Sequence, residues 1–105
     1  MAKVAFVLNP KPTFDAKVAL PVHGSNTVDV GFTFKHKSRA EVADLLGDNA
    51  PTNDVDLLLE ICAGWELDDE FNKDNAELLA QNYIGAIPAI WSRYLELIAQ
   101  KREGN

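Results

Sequence analysis

Between Lys37 and Ser38 the spacing of apolar residues changes, and that change sets the fold class. Upstream, Val28, Val30, Phe32 and Phe34 alternate with Thr27, Asp29, Thr33 and Lys35, a period of two that puts the apolar set on one face of a strand. Phe14, Ala16, Val18, Leu20 and Val22 follow the same period, and the turn-rich His23-Gly24-Ser25-Asn26 between the two runs has hairpin length. The pattern predicts an antiparallel β-hairpin over about residues 14–36 with one apolar face. Two strands alone are marginal in water, so that face must rest on helices or on another subunit. An earlier alternation, Val4, Phe6 and Leu8, runs into Pro10 and Pro12, which cannot donate to a ladder.

Downstream the period becomes helical. Ser38 and Glu41 form a capping-box pattern ahead of Val42, Leu45 and Leu46, and Gly47 is a stop. The loop that ends at Asn53 offers N-caps for a second helix over residues 54–63, with Val55, Leu58, Leu59 and Cys62 on one side. Leu57 and Ile61 widen that surface, which makes this helix central. Gly64 then breaks it, and Trp65 begins a corner with an acidic loop. Asn72 caps a third helix containing Ala76, Leu78 and Leu79. Gly85 and Pro88 mark the start of the last helix, residues 86–101, with Ile87, Ile90, Trp91, Tyr94, Leu95 and Ile98 along one face and Lys101 and Arg102 favourable at its end. The expected fold is therefore α+β: the hairpin module of residues 1–37 followed by a body of about four helices, residues 38–105, in a single domain.

Composition narrows function mainly by exclusion. The 105 residues carry a net charge of −6, which argues against nucleic acid as the main ligand. Residues 1–40 hold six basic residues against Asp15 and Asp29, while residues 41–105 hold four against fourteen acidic ones. That asymmetry either steers head-to-tail contacts between copies or is a basic hairpin beside solvated helical faces. No apolar run reaches the roughly 20 residues that span a bilayer. The opening MAKVAFVLNPKP has too short an apolar stretch for a good signal peptide. Cys62 is the only cysteine, so no internal disulfide forms, and the expected location is cytoplasmic.

Catalytic and metal patterns fail on spacing. The acidic loop Glu66, Asp68, Asp69, Glu70 invites a calcium reading, but an EF-hand loop counted from Asp68 would need glycine and glutamate where Lys73 and Leu79 stand. A zinc site would need His23, His36 and Cys62 to converge and find a fourth ligand. No P-loop, GxGxxG or nucleophile elbow is present. The chain is expected to be no enzyme and to need no metal or cofactor. What remains is a set of aromatics, Trp65, Phe71, Trp91 and Tyr94, that either fill the core or anchor a protein interface. The candidate contact residues are these four together with the charged sets Lys35 and Lys37, and Asp68, Asp69 and Glu70.

Three passages, VDVGFTFKHKSRAEV, LLLEICAGWELDDEFNKDNAELL and NYIGAIPAIWSRYLELIAQKREGN, carry a family likeness over most of residues 28–105. In their order and spacing the chain resembles the tail assembly chaperones of long-tailed, lambda-like bacteriophages and prophages. Asn72 stands where relatives often have Ser or Thr at a helix cap, and Ile84-Gly85 where they often have Pro-Gly; both changes keep the structural role. The resemblance implies a non-enzymatic protein of the host bacterial cytoplasm that coats the tape measure protein and helps recruit subunits of the major tail (tube) protein. It also implies absence from the finished virion and, in many relatives, a longer form made by translational frameshift. Self-association is expected head to tail, the basic hairpin meeting an acidic helical surface, with neither nucleic acid nor membrane as partner. The competing reading is a structural tail or head-tail connector subunit that stays in the virion.

Overall fold

The computed structural model describes residues 5–24, 26–48 and 50–99. In chain order it contains β1 (Thr13–Pro21), β2 (Thr27–Lys35), α1 (Arg39–Leu46), α2 (Asp54–Ile61), β3 (Cys62–Trp65), α3 (Lys73–Asn82) and α4 (Ala86–Ala99). The fold is α+β, an N-terminal antiparallel sheet and four helices, as the change of period predicts.

The hairpin pairs without interruption from Thr13↔Lys35 to Pro21↔Thr27. At its closed end the Val22 N–H donates to the Asn26 carbonyl at 3.0 Å. Gly24 lies there at φ 87°, where a side chain would be strained. At the open end the His36 N–H donates to the Pro12 carbonyl at 2.8 Å. Val18, Leu20, Val30, Phe32 and Phe34 are buried on one face. Val28, expected among them, is exposed. The backbone of α4 runs closest to β1, and its contacts with β2 through Tyr94 fall at Phe34 and Lys35, the end of the strand away from Val28.

The third strand departs from expectation. α2 ends at Ile61, and Cys62 to Trp65, expected as its last residues and a corner, instead run antiparallel to β2 in the sheet order β1-β2-β3. Phe32 pairs with Trp65, Thr33 with Gly64 and Phe34 with Cys62, which leaves Ala63 as the extra residue of a bulge. Long-range pairing overrides the helical pattern here: β3 supplies partners to the outer N–H and C=O groups of β2 around the buried Phe32 and Phe34, and Trp65 also sets its ring edge-on to Phe32 at 6.3 Å. Cys62 keeps its expected burial, but as a strand residue.

Capping explains the helix starts. The Ser38 hydroxyl accepts from the Glu41 N–H at 3.2 Å while the Glu41 carboxylate accepts from the Ser38 N–H at 2.9 Å, a complete capping box. Asn53 and Asn72 accept from the N–H groups of Asp56 and Asn75 at 2.9 and 2.8 Å. Two leucines expected on apolar faces, Leu46 and Leu78, are exposed. Each of these helices buries only one residue, Leu45 in α1 and Ala76 in α3, so the stripes are too narrow to include them. In α4, Ile87, Ile90 and Tyr94 are buried, with Trp91, Leu95 and Ile98 half-buried. Lys101 and Arg102, expected at its end, lie outside the described residues.

Sheet and helices share one contiguous core. At its centre, Phe34 lies 5.4 Å from Tyr94 and 5.6 Å from Phe14, ring centroid to centroid. The apolar face of the hairpin thus rests on the chain's own helices.

Candidate interaction surfaces

Most of the residues expected to meet a partner are engaged within the chain. The Lys35 ammonium donates to the Leu59 carbonyl at 3.1 Å, and Lys37 pairs with Glu60 at 3.3 Å. Trp65 donates its indole N–H to the Asp69 carbonyl at 2.7 Å and meets Phe71 edge-on at 5.0 Å, so the ring is a clasp for the acidic loop. Asp68, Asp69 and Glu70 are exposed on that loop. Its end is held by Asn75, which donates to the Glu70 carbonyl at 2.7 Å, and by Asn72, which donates to the Glu70 carboxylate at 3.4 Å. Trp91 is half-buried and stacks on Tyr94 at 6.0 Å. Tyr94 itself is 0% exposed and gives its hydroxyl proton to the Lys35 carbonyl at 2.8 Å. As a contact candidate Tyr94 is therefore corrected: it is a core residue whose one polar atom is satisfied, with no surface to offer.

Opposite charges also meet inside the molecule. Lys17 pairs with Glu66 at 3.0 Å, as Lys37 does with Glu60, so part of the basic hairpin is neutralised by the acidic body. Among the described residues, Lys11 and Arg39 have no such carboxylate partner.

Two surfaces missed by the candidate set remain open. The first is a groove of about 1100 Å³ between residues 5–12, the start of α1 and the end of α4. Phe14, Val42, Leu97 and Ile98 line it with apolar atoms, Lys11 and Arg39 are cationic residues of its lining, and no carboxylate belongs to that lining. Along one wall Phe6 and Leu8 stand 80% and 87% exposed. The second is an α3 stripe of Asp74, Glu77, Leu78 and Gln81, spaced i, i+3, i+4 and i+7 and exposed throughout. It continues into Tyr83 and Ile84, the latter 85% exposed. Sequence signals for both existed: an alternation with no strand to pair with, Leu97 off the main stripe of its helix, and Leu78 directly after Glu77 and one turn after Asp74. A model of the phage tail assembly chaperone family matches residues 1–105 of the chain.

The chain belongs to the phage tail assembly chaperone family. We find no match among curated proteins and none among solved structures. Membership assigns this chaperone a role in tail assembly and contact with tail proteins, which directs attention to its surfaces.

The chemistry of the chaperone's buried groups agrees with structural duty. Burial pushes the Cys62 thiol up to about 12, with Lys35 pulling weakly the other way, so the thiol is protonated and poorly nucleophilic at neutral pH. Burial likewise raises the Tyr94 phenol, helped by the nearby Cys62 and Glu41. Glu41 and Glu66 are held below the usual carboxylate range, Glu41 by hydrogen bonds from Ser38, Glu66 by Lys17 and then by the Gly31 N–H. His23 stacks on Tyr83 at 5.5 Å. Among the described residues no three His, Cys, Asp or Glu side chains stand close enough to hold a metal, and no helix is long and apolar enough to cross a membrane.

Proposed function

We propose that this chaperone associates with itself, coats the tape measure protein during tail assembly, and helps recruit tail tube subunits. It does so in the host bacterial cytoplasm as one domain of 105 residues, and leaves before the virion is complete. A longer frameshifted form belongs to the same reading. No residue is assigned catalysis and no cofactor is required. The observation that carries the proposal is the apolar, cation-bearing groove beside the arm of residues 5–12 in a chain of this family. A groove of that character supports self-association through burial of apolar area, and long helical apolar proteins need in water the cover that an assembled coat gives. Among the contact candidates, half-buried Trp91 and Trp65 and the exposed Asp68, Asp69 and Glu70 remain available to partners, with Phe71 partly so.

Co-expression with the tape measure protein tests this. The chaperone is expected to keep the tape measure protein in the soluble fraction and to co-purify with it. Its recovery as a stoichiometric component of purified virions would instead establish a structural tail or connector subunit.

A further inference from the structure

We infer that the arm groove of one copy receives the α3 stripe of a second copy, a contact that rests on the self-association proposed above and gives it an address. The groove presents an apolar floor, Phe14, Val42, Leu97 and Ile98, with the cations Lys11 and Arg39 beside it and no carboxylate in its lining. The α3 stripe presents the inverse: Leu78, 58% exposed, beside the carboxylates of Asp74 and Glu77 on the preceding turn, followed by Ile84. None of Lys11, Arg39, Asp74 and Glu77 is spent on an ion pair among the described residues. Docking brings Leu78 and Ile84 out of water onto the floor and sets Asp74 and Glu77 towards Lys11 and Arg39. Charge selects this occupant over exchange of arms between copies. An exchanged arm replaces one Lys11 with another and leaves the charge of the groove unchanged, whereas the stripe brings two negative charges to it.

The two surfaces differ, so the contact is heterologous. The docked pair keeps one free groove and one free stripe, on different copies, and growth runs head to tail rather than stopping at a dimer. Tyr83, 39% exposed beside Ile84, lies at the margin of the stripe.

The test measures mass by light scattering and sedimentation for the full chain and three variants. R39E damages the groove, L78K damages the stripe, and the charge exchange R39E/E77K restores complementarity. At low salt the unaltered chain is expected to form a concentration-dependent series of oligomers that shortens as salt rises. R39E and L78K alone are each expected to weaken association by about tenfold or more, as loss of a charge pair or an apolar anchor does. Mixed, they are expected to stop at a 1:1 heterodimer, because each retains one working surface. R39E/E77K is expected to regain oligomers. Circular dichroism establishes that the variants fold, and all three altered positions are exposed. Oligomers of unchanged size in both single variants would overturn the pairing while leaving self-association standing. A strictly monomeric parent chain at high concentration and low salt would overturn both.

Discussion

Val4, Phe6 and Leu8 carry the same alternation of apolar side chains as residues 14–22, yet Phe6 and Leu8 meet the opposite fate. In β1, Val18 and Leu20 are buried; in the arm, Phe6 and Leu8 stand in water. The prolines between them are one difference, but the length of β2 is the deciding one. Its nine residues are all used by β1, whose Thr13 pairs with Lys35, the last residue before the chain leaves the sheet for α1. After the His36–Pro12 bond no N–H or C=O of β2 remains for an earlier rung. Alternation makes a strand possible; an unspent neighbour makes it real.

The comparison breaks most visibly by truncation. Phe34→Ala, at a site 0% exposed between Phe14, Phe32 and Tyr94, is expected to cost about 3–5 kcal/mol in denaturant unfolding. Phe6→Ala in the arm is expected to stay within about 0.5 kcal/mol. A comparable loss at both positions would show that the arm packs as the sheet does. A smaller effect is expected from Tyr94→Phe, which keeps the ring and removes one hydrogen bond to the Lys35 carbonyl; about 1 kcal/mol should be lost, read from the same unfolding curves.

Smaller still is Glu66→Gln. The Glu66 carboxylate accepts from Lys17 and from the Gly31 N–H at 2.8 Å, and its pKa is lowered on folding by those bonds. A lowered folded pKa contributes stability above the unfolded value and loses it as pH falls through the folded one. The gap between parent and variant should therefore be present at pH 7 and close below the ordinary glutamate range; a gap that widens in acid would contradict the assignment. The smallest effect sharpens the comparison most. Pro12→Val restores an N–H at the end of the arm, yet residues 5–11 should gain no hydrogen-exchange protection, because β2 ends at Lys35 and leaves no strand residue opposite them. New protection there would shift the cause from the length of β2 to the prolines.

What was legible follows the range of the interaction. The hairpin, the capping box at Ser38 and Glu41, the asparagine caps at Asn53 and Asn72 and the buried face of α4 are all written within a few residues, and all are present. β3 was not legible, because four residues after a helical stripe become a strand only through β2, some thirty positions earlier. Local pattern continues α2 through Cys62; the partner strand ends it at Ile61. The groove was hidden for the same reason, since its floor joins Phe14, Val42 and Leu97 from distant parts of the chain. The charged candidates misled through counting. Lys35 and Lys37 look free in a list of charges but are tied to Leu59 and Glu60 on α2.

Lys35 also sets how the molecule carries load. Its carbonyl holds the Tyr94 hydroxyl of α4, its ammonium holds the Leu59 carbonyl of α2, and its backbone is the final rung opposite Thr13. Three elements are riveted at the residue where the sheet gives way to helices. A pull on the arm enters the sheet at Thr13, crosses to Lys35, and is divided at once between α2 and α4. The hairpin consequently has no hinge at its base, and a partner tugging on the groove moves the helical face with it.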